Sequence, residues 1–536
     1  MDNKPKTEKG PPPSRVNPKT QPGWPGAAPE VDPSLITATY EGDVVVLGAG
    51  HAGVQCALAA AEGGAKVIVA EKQPEFEKLH WTGEQIGTYN SGYFIERGFG
   101  PYDEMEIIQE YFRCGCHRVN QRLISMYVRN SGEMLDHALS LIPEDSTLLD
   151  EDQCNIHQAY YNDYPIVAGG NRSWAGTLQF RGKLITERGI TVAINGNSRL
   201  SEVEMFSVRR SAELGAEWFC GWSGVCLEKT GDRVTAVIAK NRSGEYARFI
   251  GKRAVCVTTG NNTDTGHKMC VWAGGNMEIA LRDTTMPYDA SPFFGMTAFL
   301  ALNARGERFC NESDAYCLGP QINRQPRGIV TTVFDSNWME YLKVNGIQHG
   351  MPDMAMTAYL EQAAEDISHV VEHGAEGYDV RNLSASERET GHMWGANTLP
   401  ELADHLGYTG EDKARWLKSI ERYNELCRAG FDEDYGKDKK ALIPIEKPPF
   451  YAGRVMNAKA SGDSDAMCPS GLATDNSMNV TDADGNVIPG LYVAGNTLGG
   501  RYFLYYPTPS GGNMIGMAMT HGRVLGKLLT DQPFRK

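Results

Sequence analysis

No apolar run in this chain of 536 residues approaches the roughly 20 residues that a helix needs to cross a bilayer, so no membrane span is expected. Lys4, Lys6 and Lys9 are followed by no hydrophobic segment, so the pattern of a secretory signal is missing as well. Basic charge is scarce. The 52 Lys and Arg against 67 Asp and Glu leave a net charge of −15, which argues against nonspecific binding to nucleic acid or to an anionic membrane. The 12 cysteines show no repeated spacing, which speaks against a disulfide framework and for reduced thiols in a cytoplasmic protein. Cys114-Gly115-Cys116-His117 is one residue short of a haem-attachment motif. The turn Asp482-Ala483-Asp484-Gly485-Asn486 lacks the glutamate that closes a calcium loop, and no metal site is expected.

What is present points to small-molecule chemistry on a large α/β framework. The length exceeds one ordinary core, and 41% hydrophobic residues are ample for two. Residues 1–42, rich in Pro, Lys, Gly and Thr, read as an extended arm on the surface or against a second copy of the chain. Then comes Asp43-Val44-Val45-Val46-Leu47-Gly48-Ala49-Gly50-His51-Ala52-Gly53, a helix of small residues, and a second strand ending at Glu71. A buried strand, three glycines spaced G-x-G-x-x-G, a helix and a terminal acid form a dinucleotide fingerprint. Gly48 permits the tight turn, Gly50 lets the backbone approach the pyrophosphate, and Gly53 lets helix and strand pack. Glu71 is placed to accept from the ribose hydroxyls. His51 reads as a tolerated loop residue, grouped with Ala52 and Lys72 among the cofactor contacts.

Residues 82–94 are full of Gly, Thr, Asn and Ser and read as a loop, which sets Gly87, Thr88 and Gly92 along the cofactor and gives Tyr89 or Tyr93 a route to the substrate. Residues 103–140 read as helical. Strands are expected over 220–227, 232–240 and 247–257, a small antiparallel ribbon that ends in the turn Thr259-Gly260. The mixed composition of residues 287–450 reads as an α+β capping domain inserted between residues 43–286 and 451–536, which together make a Rossmann-like domain. The last stretch holds a short strand, Leu491-Tyr492-Val493-Ala494, then Gly495-Asn496, and finally Tyr506-Pro507-Thr508-Pro509-Ser510-Gly511-Gly512-Asn513-Met514-Ile515 opening a helix. Backbone N–H groups at such a glycine-rich helix start suit a polyanion or an electron-rich ring, and this stretch is read as a flavin cradle.

These motifs, with Asn130-Ser131-Gly132-Glu133, Arg305-Gly306-Glu307-Arg308-Phe309-Cys310-Asn311-Glu312, Asn397-Thr398-Leu399-Pro400-Glu401-Leu402 and Arg422-Tyr423-Asn424, resemble the fumarate reductase and succinate dehydrogenase flavoprotein superfamily. The resemblance runs from about residue 43 to 529. Where fumarate reductases carry two arginines that bind and protonate a dicarboxylate, this chain has Tyr316 and Pro509. Asn311-Glu312-Ser313-Asp314-Ala315-Tyr316 and Tyr506-Pro507 are instead similar to the 3-ketosteroid dehydrogenase branch, as is Ile515-Gly516-Met517-Ala518-Met519-Thr520.

The resemblance implies noncovalent FAD and hydride transfer at a carbon–carbon bond next to a carbonyl, in a 3-ketosteroid or another enone. Tyr316 would transfer the proton, while Tyr506 and the backbone N–H near Ser510 would bind the carbonyl. Two glycines of that branch are replaced here by Thr508 and Ser510, and the N–H survives at 510 only if the serine need not adopt positive φ. A tyrosine is a poor base at neutral pH, so Tyr316 needs a second tyrosine or a cation beside it. His80 is too poorly spaced to suggest a covalent flavin link. Electrons would come from or go to a separate partner. The alternative is a reductase of a small unsaturated acid of the fumarate, urocanate or acrylate type, with Arg305, Arg327 or Arg501 on the carboxylate; a surface position is the plainer reading of Arg501.

Overall fold

The computed structural model describes residues 23–536 except 80, 82, 84, 151–153, 157–165, 168–170, 173, 181, 188–189, 260–264, 279–298, 313–320, 322–323, 327–328, 345–390, 457–469 and 503–508. Tyr316, Tyr506, Gly260, Arg327 and His80 lie outside the described residues.

Strand β1 spans Ile36–Leu47, and its Val44, Val45 and Val46 are fully buried, as an uninterrupted β-branched run in a parallel sheet should be. It begins earlier than expected. Residues 36–41 alternate between half-buried and exposed positions, Gly42 is buried, and the stretch pairs with a neighbouring strand, so it belongs to the sheet and not to the arm. Of the described residues before them, Gly26 and Trp24 lie against the chain's own surface, where Trp272 donates to the Gly26 carbonyl at 3.0 Å and Lys268 sits over the Trp24 ring.

After the glycine turn, helix α1 (His51–Glu62) buries every residue from Ala52 to Ala61, and β2 (Val67–Glu71) returns parallel to β1. Residues 82–94 are not all loop. Gln85–Gly87 forms a strand, β3, because it is held between a β-partner and a helix start, contacts that local composition does not carry. Helices α2 (Glu104–Cys114) and α3 (Gln121–Ser140) follow, each capped by a side chain, Asp103 and Asn120, that accepts two first-turn N–H groups. Strand β4 (Thr177–Phe180) pairs antiparallel with β3, and α4 (Leu200–Glu213) packs against α1.

The ribbon Trp222–Thr230, Arg233–Asn241 and β5 (Tyr246–Val257) is not separate from the main sheet, because β5 is also the parallel neighbour of β1. Residues 246–250 of β5 pair with the ribbon, whereas 255–257 pair in parallel with β6 (Val487–Val493). The carboxyl-terminal part of the chain thus enters the sheet where the ribbon leaves it. The final helix, α5 (Asn513–Leu529), lies across α1 so closely that a Cβ on Gly522 would stand 2.1 Å from the Ala52 carbonyl oxygen. The outcome is an eight-stranded mixed sheet in which Glu217–Cys220, β2, β1, β5 and β6 run parallel, and β2, β1 and β5 present their carboxyl ends together.

A second, four-stranded antiparallel sheet has the order Leu300–Asn303, Ile329–Asp335, Phe450–Met456, Gly391–Ala396. Its strand Phe450–Met456 continues beyond residue 450. Helices Leu399–His405 and Gly410–Ala429 cover it around Trp394, Trp416, Ile420 and Tyr423.

Candidate cofactor and substrate site

Gly48 leaves β1 with φ +94°, a conformation that suits glycine, and a Cβ on Gly53 would come within 2.0 Å of the Gly48 oxygen. Thr258, just past β5, fixes the same turn by donating to Gly48 O at 2.6 Å and Leu47 O at 3.1 Å. Gly50 caps α1 without a side-chain bond, so the helix start offers its dipole and backbone donors outward. Glu71, buried at the end of β2, accepts from the Ala49 N–H at 2.6 Å and from Gln73 at 2.7 Å. Each carboxylate oxygen has room for a second donor, which suits ribose hydroxyls. Lys72 beside it is exposed.

The turn Gly495–Thr497 lies against this loop, since a Cβ on Gly495 would meet the Ala52 Cβ at 2.9 Å, and Thr497 donates to the Thr259 carbonyl at 2.8 Å. The Asn496 carbonyl faces His267 Nε2 at 3.3 Å. Gly48, Gly50, His51, Ala52, Gly53, Glu71, Thr259, Gly495 and Asn496 are thus one neighbourhood at the carboxyl end of the parallel strands, where open α/β sheets bind ligands.

Sequence reasoning missed the supports of this loop. Trp81 donates from Nε1 to the Ala49 oxygen at 2.6 Å. His51 is more than a tolerated loop residue: its Nδ1 lies 2.7 Å from Glu204 Oε1 of α4, and Gln55 Nε2 reaches both Glu204 and Ser207. Nothing local marks an acid 153 residues away as the partner.

A second neighbourhood forms at the start of α5. The Gly87 N–H donates to Gly512 O at 2.9 Å, and a Cβ on Gly516 would lie 1.7 Å from Gly87 O, so strand and helix meet backbone to backbone. Thr88 N–H donates to Gly176 O, Trp174 N–H to Pro509 O, and Thr177 Oγ1 to Gly511 O. These bonds gather residues 87–88, 174–177 and 509–513, with Asn513, Met514 and Ile515 in the first turn of α5. Gly92 is set apart, its N–H taken by Asp136 of α3 at 2.7 Å.

Here the side chains make a buried hydroxyl cluster. Ser510 Oγ donates to the Tyr89 hydroxyl at 3.0 Å, Tyr89 and Tyr111 hydroxyls are 2.9 Å apart, and Asn513 Nδ2 donates to Tyr111 at 3.2 Å. Tyr127 donates to Gly87 O at 2.8 Å. Burial pushes Tyr89 up, outweighing the opposing bonds from Ser510 and Tyr111, and burial likewise holds Tyr111 and Tyr127 well above the usual tyrosine range. The cluster therefore stays neutral and acts through donated hydrogen bonds, not as a base. Ser510 is not in the left-handed region, so its backbone N–H is compatible with the serine side chain.

Between the two neighbourhoods runs the segment that contains Arg501. It is fully buried, not at the surface, with Nε donating to Leu498 O at 2.9 Å and Nη2 reaching Asn496 Oδ1 at 3.4 Å. Arg305 is exposed.

A turn that admits a pyrophosphate, an acid for a ribose and a glycine-rich helix start backed by β3 define a dinucleotide-binding flavoprotein architecture. The chain matches the family described as FAD binding domain over residues 43–513, and it belongs to that family. It is 30% identical over 173 residues to the 4-oxocyclohexanecarboxylate 2-dehydrogenase of Sinomonas cyclohexanicum, an alignment covering 29% of this chain and 28% of that protein. Over a much longer stretch, 90% of this chain and 95% of the relative, it is 23% identical to the vinyl phenol reductase of Lactiplantibacillus plantarum. The fold is shared with a 3-ketosteroid-delta4-(5alpha)-dehydrogenase from Rhodococcus jostii, with a TM-score of 0.61 at 17% identity over 93% of this chain and 99% of that one.

Proposed function

We propose that the chain is an FAD-dependent oxidoreductase acting on a carbon–carbon single or double bond adjacent to a carbonyl, with a ketone or enone as substrate. The buried Ser510, Tyr89, Tyr111 and Asn513 cluster carries this reading. It places neutral donors behind the loop whose Ser510 N–H would bind the carbonyl oxygen, and neutral donors suit an oxygen that gains charge during reaction.

The residues fit noncovalent FAD. Gly48 to Gly53 and Gly495 would take the pyrophosphate and ribityl chain, and Glu71 the adenosine ribose. The buried Thr259 hydroxyl, which has no hydrogen-bond partner among the described residues, is available to the cofactor, while Gly87, Thr88 and Gly511 to Ile515 would flank the ring. Bound there, FAD supplies hydride chemistry and the protein supplies position and polarisation.

The chain's own contribution is then threefold. Tyr506 and the Ser510 N–H hold the carbonyl, which stabilises enolate-like charge; loss of one such donor costs about 3 kcal/mol of barrier. Tyr316 moves the proton at the α carbon, because the tyrosines of the described cluster are held protonated. The bonds from Trp174, Thr177 and Gly87 keep residues 509–512 in place.

A reductase relative spanning nearly the full length supports reduction as the working direction, with a separate electron donor. Anaerobic mixing of the reduced protein with enones, ketosteroids, fumarate and urocanate tests the reading. Reoxidation by enones or ketosteroids is expected, and reoxidation by fumarate but by no enone would overturn it.

A further inference from the structure

Arg501 has 0% exposure, yet its Nη1 has no hydrogen-bond partner and no carboxylate forms an ion pair with it among the described residues. Buried guanidinium groups are ordinarily paired, because removing the charge from water costs several kcal/mol that only a counter-ion and a full set of acceptors offset. This one has a single well-formed bond, to Leu498 O, and a long one to the side chain of Asn496.

The carboxylate among the described residues that feels Arg501 is already engaged. Glu278 accepts from Gly471 N–H at 3.0 Å and Gly500 N–H at 2.5 Å, tying the loops at 277–278, 471–472 and 498–500 together. Burial pushes its carboxyl up to about 8 against the pull of those bonds and of Arg501, so near neutral pH it is largely protonated and does not cancel the guanidinium charge. His521, the other titratable group close by, is held neutral, pushed down to about 4 by burial and by Arg501 itself. Tyr502, under the guanidinium at 5.0 Å, is pushed up to about 12 by burial. Among the described residues, the three ionisable groups that interact with Arg501 are thus largely neutral, and no carboxylate pairs with it.

Its place in the chain decides what could complete it. Arg501 is joined to Asn496 in the turn against the α1 loop, and only eight residues separate it from Ser510 at the start of α5. We propose that Arg501 is the receptor for a carboxylate on the substrate, so that the compound turned over is an anionic ketone or enone held at two points, its carbonyl at the Ser510 loop and its carboxylate at Arg501. This rests on the ketone or enone reading above and narrows it. A planar guanidinium with free donors matches a carboxylate better than any neutral oxygen, and it would exclude neutral analogues by leaving the cation buried and unpaired.

The experiment uses the full-length FAD-loaded protein and a matched pair of probes, a cyclohexenone bearing a ring carboxylate and its methyl ester. Binding to the oxidised protein is read from the change in the flavin absorption band, and turnover from reoxidation of the reduced protein. The acid should bind about 100-fold more tightly than the ester, and Arg501→Met should bring that ratio close to one, with Arg501→Lys in between. Bound flavin is checked by the visible spectrum of each variant. If the variants fail to fold, the acid-to-ester ratio of the unaltered protein still decides. Equal binding of acid and ester overturns the proposal. So does an Arg501→Met variant that keeps the ratio but shifts the flavin midpoint potential, because the cation would then serve the cofactor. An acid that binds through Arg501 while no enone of either form reoxidises the flavin leaves the carboxylate receptor standing and defeats the ketone reading instead.

Discussion

Replacing Arg308 by methionine should be among the most destabilising single changes outside the cofactor site. Its guanidinium is 6% exposed and makes four hydrogen bonds, two to Glu312 at 2.9 Å and two to Asp432 at 3.0 and 2.7 Å. Lys437 completes the group, 3.4 Å from Glu312 and 3.0 Å from the Tyr423 hydroxyl. Two cations balance two carboxylates, all four buried. Without Arg308, Lys437 alone faces Glu312 and Asp432, and breaking such a buried pair costs roughly 3–5 kcal/mol because a charge is left uncompensated. That is a large share of the roughly 5–15 kcal/mol that holds a domain folded.

The charge argument makes a sharper statement than the loss alone. Arg308→Met together with Asp432→Asn restores one cation against one carboxylate, so the double variant should be more stable than the sum of its two single losses by about 1–3 kcal/mol. Equilibrium urea unfolding followed by intrinsic fluorescence, with hydrogen exchange of helix Gly410–Ala429 to localise the change, measures both. A single-variant loss under about 1 kcal/mol, or strict additivity in the double variant, would refute the reasoning. Burial pushes Glu312 up, but Lys437 and Arg308 outweigh it and hold the carboxyl below its usual range; Asp432 is also held low, with burial again opposing Arg308. Carboxylates with depressed folded-state values stabilise above their unfolded values and lose that stabilisation as pH falls through the folded ones. The second sheet should therefore loosen first in acid below about pH 4.

Three further outcomes are expected. Gly53→Ala places a methyl group 2.0 Å from the Gly48 oxygen; it should abolish retention of FAD through gel filtration and cost on the order of 3 kcal/mol of stability, read by thermal unfolding of the FAD-free protein. Tyr89→Phe takes the acceptor from Ser510 Oγ and leaves Tyr111 with Asn513 alone, so stability should fall by about 1–2 kcal/mol and kcat should fall more than KM rises, because the Ser510 loop loses its anchor but not its N–H. His521 is buried with Nε2 on the Leu123 carbonyl, and Arg501 is the charged group beside it. The unfolded chain takes up this proton more readily than the folded one, so stability rises with pH between about 4 and 6.5; His521→Gln should flatten that limb of a pH-stability curve, and an unchanged limb would count against the assignment.

The parts that sequence revealed are those where local composition and fold demand the same thing. The Val44 to Val46 run needs burial on both faces, and the glycines from 48 to 53 mark a turn that tolerates no side chains, so strand, turn and helix were all legible. The same holds for the helix after Gly512 and for the strands flanking Gly231. What was not legible depends on distant partners. The strand Gln85–Gly87 exists because Gly512 and β4 receive it, although its flanks read as loop. Tyr111 and Tyr127 sit on amphipathic helices where aromatic residues usually mean core packing, and only the fold brings their hydroxyls to Tyr89 and to the Gly87 carbonyl. Arg501 follows two glycines, and a lone arginine ahead of an aromatic loop does not by itself announce complete burial.

These hidden residues share a physical reason for being hidden. A dinucleotide can be held largely by backbone, so its site is written in glycines, which are conspicuous. Helix α5 packs on α1 at Gly522 and on Gly87 at Gly516, and α1 packs on the Gly48 turn at Gly53, all so closely that few side chains could reach a ligand from them. The groups that choose a substrate must then come from elsewhere: from α2 and α3, whose tyrosines back the Ser510 loop, and from the segment between Asn496 and Ser510, where Arg501 sits. Under the proposed function, selectivity would therefore rest on residues brought in from outside the fingerprint. Substitutions at Tyr89, Tyr111 or Arg501 should change which compounds react while FAD stays bound, and substitutions at Gly48, Gly53 or Glu71 should release FAD whatever the compound.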